Sequence, residues 1–183
     1  SQVTIGVGSM IKGMLGAQAV IAGIQKLTGA IRQGVNTAID FEAANSKLAA
    51  ILGTTKGEIK DLTADARRLG EATKYTASEA TNLQIELSKL GFSKTEILDM
   101  TEGVLKFAQA TGAELPEAAA LAGAALRMFG ADTEETERYV SAMAVATTKS
   151  ALSFSYLQTA MPIVGPVAKA FNFTIEDTLA LLG

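Results

Sequence analysis

The sequence lacks cysteine, histidine and tryptophan, and only three of its 183 residues are proline. Without cysteine, the chain can form neither a disulfide nor a thiolate metal site. Without histidine, it lacks the side chain that most often serves as a general base and as a neutral metal ligand. Any active site would have to be built from carboxylates, lysines, serines or tyrosines. These absences favour a protein that is not an enzyme and binds no metal or cofactor.

Strong charge and long apolar runs are also missing. The formal net charge is -3, so the chain has no electrostatic basis for binding nucleic acid, for which a basic patch is expected. The apolar run 13–25 is too short for a bilayer core, and 150–167 is interrupted by Pro162, Gly165 and Pro166. No basic region precedes the first apolar residues, as a signal peptide would require. The chain begins at Ser1 and stops within a helical pattern, so we expect a piece of a longer protein.

Helix signals recur along the chain instead. Alanine and leucine are plentiful, which favours helix. Gly91, Gly112 and Gly130 each follow an apolar helical run and predict a helix end. Pro116 sits where a first-turn proline belongs. Pairs of polar residues at capping-box spacing predict where helices begin. The pairs are Thr55 with Glu58, Thr76 with Glu79, Ser93 with Glu96, Asp132 with Glu135 and Thr174 with Asp177.

These signals predict an all-α fold, with a long N-terminal helix followed by an irregular bundle of about seven short antiparallel helices. Residues 1–40 form a glycine-rich apolar lead-in helix, and 41–183 a helical domain truncated at its C-terminus. The segment 118–129 is apolar all round, which is typical of a helix buried on several sides, so we place it at the centre. Pro162 and Pro166 remove backbone donors and are expected to break or kink their helix.

The lead-in helix carries an apolar seam with an average spacing of 3.5 residues, which suits packing against another helix. Glycines repeat beside it and weaken an isolated helix. The seam either packs on its own chain or forms a parallel coiled coil between copies. The candidate self-association residues are Met10, Met14, Ala17, Ile21, Ile24, Ile31 and Val35.

Three features could suggest chemistry, and each has a simpler explanation. Glu86 could be a catalytic acid in a groove, but a glycoside hydrolase commonly needs two placed carboxylates. The simpler explanation is that Glu86 lies on a solvated helix face with Lys89 nearby. The glycine-rich start lacks the order of a phosphate-binding loop. An acidic cluster could bind Mg²⁺ or Ca²⁺, but acids in a first turn are favoured by the helix dipole. The cluster comprises Asp132, Glu134, Glu135 and Glu137.

A membrane surface is an alternative partner for the lead-in helix. Lys12, Lys26 and Arg32 lie on a mostly apolar helix, a composition that suits the interface of a bilayer. This alternative predicts that a peptide of residues 9–40 binds liposomes. A peptide that stays in solution as a helical oligomer would argue for the seam.

Five segments of the sequence, in order, resemble the N-terminal conserved domain of phage tail tape measure proteins. They are FEAANSKLAAILGTT, TKYTASEATNLQIELSKLGFSKTEILDMTEGVLKFAQATGAELPEAA, MFGADTEETERYVSAMAVAT, SFSYLQTAM and FNFTIEDTLALLG. The resemblance covers about residues 41–183. Each segment alone is an ordinary helix with its cap, and their order and spacing together make the resemblance specific.

The resemblance implies a structural virion protein. Proteins of this family are long helical chains in the interior of the tail tube, made in the host bacterial cytoplasm with assembly chaperones. Their length sets the tail length, they lie along the tail axis as a homo-oligomer, and they leave the tube at infection. Tail tube and tail tip or baseplate proteins are the implied partners, with possible membrane contact at infection. Alternatives are a membrane-active penetration segment assisting genome delivery, or a helical adaptor or interaction module.

Overall fold

The computed structural model describes residues 37–183, and these residues form eight α-helices and no β-strand. The chain divides into two units, Ser1–Glu42 and Ala43–Gly183, and the packing described below belongs to the second. The helices are α1 (37–51 of the described residues), α2 (Lys60–Ala72), α3 (Ala77–Lys89), α4 (Lys94–Thr111), α5 (Leu115–Phe129), α6 (Thr136–Lys149), α7 (Phe154–Ala170) and α8 (Ile175–Leu182). The all-α prediction is confirmed, as are the seven helices predicted after the lead-in.

Three of the predicted capping boxes are formed in full. In the box that begins α4, the Ser93 backbone N–H donates to Glu96 Oε2 over 2.7 Å, while the Ser93 side chain accepts from the Glu96 N–H. The Thr76–Glu79 box begins α3 and the Thr174–Asp177 box begins α8 in the same way. Each box provides partners for backbone N–H groups that a helix start otherwise leaves unpaired.

The prediction that the Thr55–Glu58 capping box begins a helix is wrong. Glu58 Oε2 accepts from the Thr55 backbone N–H over 3.0 Å and from the Thr55 hydroxyl over 2.8 Å, but α2 begins later, at Lys60. The Thr54 hydroxyl adds a third bond to the same oxygen, over 2.5 Å. With Gly57 inside it, the box therefore closes a turn ahead of the helix, because glycine disfavours helix propagation.

The prediction of a capping box at Asp132 and Glu135 is also wrong. Asp132 makes no side-chain capping bond, and a 3₁₀ turn at Thr133–Glu135 precedes α6. The Glu135 carboxylate instead pairs with the Arg138 guanidinium, 2.5 Å away. A stronger charged partner thus takes the carboxylate that the box required.

The predicted helix ends are confirmed. Gly91, Gly112 and Gly130 have φ of 83°, 72° and 65°, in the left-handed region where glycine has no steric penalty. Asn172, after α7, has φ 58° and takes the same role without being glycine. Asparagine tolerates this conformation better than most residues because its side chain can hydrogen-bond locally.

The helix α5 packs against α3, α4, α6 and α7, which confirms its predicted central place. Small residues allow this close packing. A Cβ built on Gly123 would lie 2.8 Å from Phe92 Cε2, and one on Gly165 of α7 would lie 2.9 Å from Met128 Sδ. The buried residues of α5 are Ala118, Ala119, Leu121, Ala122, Gly123, Ala125, Leu126 and Phe129.

The predicted break at Pro162 and Pro166 is wrong, because α7 continues through both residues. Both proline rings are exposed, so neither displaces a packed neighbour. On the opposite face, Leu157, Met161 and Gly165 are buried. Packing of that face against α5 holds the helix together where two backbone donors are missing.

The helices α6 and α8 run parallel. Arg138, near the start of α6, pairs with Glu176 in the first turn of α8. At the other end, a Cβ built on Gly183 would lie 3.2 Å from Ser150 Oγ, and these residues directly follow α8 and α6. The intervening α7 therefore returns the chain from one end of this pair to the other.

Candidate interaction site

The predicted self-association seam lies outside the described residues, as do the basic residues Lys12, Lys26 and Arg32 of the membrane alternative. Both therefore stay predictions. The seam residues concerned are Met10, Met14, Ala17, Ile21, Ile24, Ile31 and Val35.

The outer face of α7 exposes a stripe of large apolar side chains, which we call the α7 ridge: Tyr156, Ile163, Val167 and Phe171. Their exposed fractions are 47%, 69%, 56% and 71%. The spacings of seven, four and four residues place them on one side of the helix. No charged residue occurs between Lys149 and Lys169 in the sequence. The ridge is therefore an extended apolar surface.

A groove of about 660 Å³ lies between α6 and α8. Its middle is apolar, with Ala142 and Val145 from α6 and Leu179 and Ala180 from α8. We call this the α6–α8 groove. Charged side chains mark its ends, the Arg138–Glu176 pair at one and Lys149 at the other. Such a groove has the character of a site for an apolar helix face.

The Arg138–Glu176 pair has good geometry. Arg138 Nε lies 2.8 Å from Glu176 Oε1, and Nη2 donates to Oε2 over 3.2 Å. This bidentate bond raises the pKa of Arg138 and lowers that of the Glu176 carboxyl. Because about half of each side chain is exposed, solvent screens the attraction. The pair orients α8 on α6 and offers no reactive group.

A second ion-pair network joins α2, α4 and α6 on the surface. Arg68 Nη2 lies 2.7 Å from Glu102 Oε2, and Lys106 Nζ lies 3.0 Å from Glu102 Oε1. Lys106 also approaches Glu137, at 3.6 Å. The hydrogen bond from Arg68, followed by that from Lys106, lowers the pKa of the Glu102 carboxyl. The network is a solvated structural link.

Three of the acids considered as catalytic or metal-binding residues, Glu86, Glu135 and Glu137, are engaged in such pairs. Glu86 lies 2.8 Å from Lys89, as expected. Of the acidic cluster, Glu135 bonds to Arg138 and Glu137 approaches Lys106. Over residues 37–183, no group of three or more acidic side chains converges on a position that could hold a metal ion.

One buried polar side chain was missed by the sequence interpretation. Gln84 of α3 is fully buried, and its Nε2 donates to the Leu62 carbonyl over 3.1 Å while Oε1 has no partner. Gln84 lies four residues after Ala80 and three before Leu87, both of which are buried. Its position on that apolar stripe was the available signal.

The α7 ridge was also missed. The sequence interpretation treats 162–166 as a break or kink and 167–171 as the helix that resumes after it, and assigns no exposed surface to either. The signal was that a helix without charge for so long has more apolar residues than one buried face can hold. A further finding concerns membranes: none of the helices in the described part of the chain combines the length and apolarity needed to cross a bilayer.

The fold therefore defines an all-α helical-bundle protein, held by apolar packing and surface ion pairs. Sequence comparison identifies the family. The pattern of the family described as "Phage-related minor tail protein" matches residues 63–183. The chain belongs to this family, and its role is that of a structural component of the phage tail.

Two curated relatives are several times longer than the chain. The "Tape measure protein" of Pneumococcus phage Dp-1 is 29% identical over 97% of this chain, which corresponds to 15% of that relative. The "Probable tape measure protein" of Escherichia phage P2 is 30% identical over 79% of this chain and 18% of that relative. The chain therefore spans less than a fifth of the length of each. No solved structure matches it.

Proposed function

We propose that the chain is part of a tape measure protein, which occupies the tail tube, sets the tail length and leaves at infection. The observation that carries the proposal is the similarity to the tape measure protein of phage Dp-1 over 97% of the chain. The match covers 15% of that relative. In this proposal the compact bundle 43–183 is a docking module, and the ruler consists of other parts of the longer protein.

The proposed ruler function can be tested by measuring tail length in the phage that encodes the chain. A helical segment outside these 183 residues is duplicated in the full gene, and tails are measured by electron microscopy. Each added helical residue should lengthen the tail by about 1.5 Å, the helical rise. An unchanged tail length would contradict the ruler function.

The matched control inserts the same number of flexible residues at 150–153, in the joint between α6 and α7. This joint lies within a compact unit, so the insertion adds no axial length to the protein. Tails of normal length are expected, provided that the virions assemble. A proportional lengthening in the control would show that tail length does not follow the axial length of the helical part.

We further propose that the seam at residues 10–38 joins copies of the chain along the tail axis. Tail tube proteins, tail tip or baseplate proteins and assembly chaperones are the proposed partners of the assembly. Replacing Ile21 and Ile24 by aspartate should reduce the mass measured by light scattering, because the charges would enter an apolar helix interface. An unchanged mass would count against the seam. Binding of a 9–40 peptide to liposomes without self-association would support the membrane alternative.

A further inference from the structure

We infer that the α6–α8 groove holds a helix that follows Gly183 in the longer protein and folds back along α6 and α8. The inference rests on the proposed function in one respect, namely that the chain is part of a longer tape measure protein. The two curated relatives are several times its length. The occupant belongs to the same molecule, so this contact is separate from the proposed seam between copies at residues 10–38.

The sequence of α8 is apolar on more sides than the described residues cover. Its last four residues, 179–182, are all apolar, and four consecutive residues, at about 100° each, reach nearly all round a helix. Leu179 is buried, but Ala180 is exposed and Leu181 has an exposed fraction of 72%. The helix α5 is also apolar all round and packs against four helices, whereas α8 packs against α6 and α7. The pattern therefore indicates a further neighbour for α8.

The two walls of the groove fit the face of one helix. The residues at its middle are Ala142, Val145 and Ala146 from α6 and Leu179, Ala180 and Gly183 from α8. Spacings of three and four residues place each set on one side of its helix. Most of them are alanine or glycine, and small side chains let a neighbouring helix approach closely. Val145 is the large side chain among them that stands half exposed, with an exposed fraction of 52%.

Gly183 places the residues that follow it at one end of this groove. It comes directly after α8 and lines the groove, and a Cβ built on it would lie 3.2 Å from Ser150 Oγ. Each helix from α3 to α6 packs against the helix before it, as consecutive elements usually do. A helix that begins after a short joint would therefore start at the Ser150 end of the groove and run antiparallel to α8.

The helix dipoles favour this direction. Because α6 and α8 run parallel, their C-termini lie together near Ser150 and Gly183. The N-terminus of the docked helix would meet both, which brings opposite ends of helix dipoles together. Lys149 stands at the same end, so an acidic residue in the first turn of the docked helix would face a positive charge.

The length of the groove sets the length of the occupant. The α6 wall, residues 138–149, extends about 16 Å, which corresponds to about 11 helical residues at a rise of 1.5 Å each. A joint of about 2–8 residues would precede them. We therefore expect the residues after Gly183 to form a helix of at least three turns with an apolar stripe facing the groove.

The reactivity of a single thiol tests the inference, because the chain lacks cysteine. The 183-residue chain is compared with a chain extended by the next residues of the gene, about 30, enough for the joint and the docked helix. Any cysteine in the extension is replaced by serine. Val145→Cys places the thiol in the groove, and Ala64→Cys, at an exposed position of α2, is the matched control.

In the 183-residue chain, both thiols should react with a maleimide at similar rates. In the extended chain, the Val145→Cys thiol should react about tenfold more slowly or less, because it reacts only when the docked helix opens, while the control keeps its rate. Equal reactivity of the Val145→Cys thiol in the two chains would overturn the inference. Protection that rises with protein concentration would also overturn it, because another molecule would then cover the groove.

This test and the tail-length test fail separately. A thiol that stays reactive while tail length follows the duplicated segment would refute the docked helix and leave the ruler function standing. A protected thiol with an unchanged tail length would refute the ruler function alone.

A charge in the groove provides a second measurement. Val145→Glu should leave the Tm of the 183-residue chain unchanged, because the side chain is half exposed there. In the extended chain it should lower Tm, because the carboxylate would be buried beneath the docked helix. Ala64→Glu is the control and should leave Tm unchanged in both chains. An equal effect of Val145→Glu on the two chains would contradict the docked helix.

Discussion

Arg138 Nε of α6 and Glu176 Oε1 of α8 lie 2.8 Å apart and join the first turns of two parallel helices. With both side chains about half exposed, we expect the pair to contribute about 0.2–1 kcal/mol to stability. Glu176→Gln should lower the free energy of unfolding by no more than this. A double-mutant cycle with Arg138→Met in urea measures the coupling, which should shrink in 1 M salt. A coupling above about 2 kcal/mol would show that solvent screens the pair less than its exposure implies.

Ser93, the N-cap of α4, should contribute more to the free energy of unfolding than Asp132, which stands at the corresponding place before α6. Ser93→Ala removes a side chain that accepts from the Glu96 N–H, at an expected cost of about 1 kcal/mol. Asp132→Ala is the matched control, because Asp132 makes no side-chain capping bond and should change stability by less than about 0.5 kcal/mol. Chemical denaturation measures both. Equal losses of unfolding free energy in the two variants would contradict this prediction.

Glu58 should titrate at unusually low pH. Hydrogen bonds from Thr54 and then Thr55 lower the pKa of its carboxyl from 4.5 to about 2. A carboxyl with a lowered pKa in the folded state stabilises the fold above its unfolded pKa, and this contribution is lost as pH falls toward 2. NMR titration of the Glu58 side-chain carbon measures the pKa. Thr54→Val should raise it, and a value near 4.5 in the parent would contradict the bonded turn.

Gly70 should not tolerate alanine, although it lies inside α2. Alanine there would gain about 1 kcal/mol of helix propensity. However, its Cβ would lie 2.5 Å from the Ala77 backbone nitrogen, and backbone cannot rotate away. We expect the steric clash to outweigh the gain in helix propensity, so that the free energy of unfolding falls by about 1–3 kcal/mol. The control is Gly57→Ala, whose Cβ would meet only the Thr55 hydroxyl at 3.6 Å. Thermal unfolding of both variants tests the comparison, and a Gly70→Ala chain as stable as the parent would contradict it.

Interactions within a few residues explain what the sequence could predict. The helix ends at Gly91, Gly112 and Gly130 were predictable because a left-handed backbone requires a particular residue there. The Ser93–Glu96 box was predictable because both partners are three residues apart. The central position of α5 was predictable because apolar residues occur on all sides of this helix.

Contacts that depend on other residues explain what could not be predicted. Glu135 was expected in a cap, but Arg138 takes its carboxylate. The break at Pro162 did not occur because α7 packs on α5, with Gly165 against Met128, and packing of this kind is set by distant sequence. The open groove between α6 and α8 requires knowing that these helices run parallel, which no local pattern encodes.

The two prolines of α7 also have a dynamic consequence. Pro162 and Pro166 carry no amide hydrogen, so the carbonyls of Gln158 and Pro162 receive no bond from them within the helix. Continuity of α7 then depends on its contact with α5, and an α7 detached from α5 would lose helical structure through this stretch. The helix and its packing should therefore open as one cooperative unit, and the amide hydrogens flanking the prolines should exchange with solvent only when α5 and α7 separate.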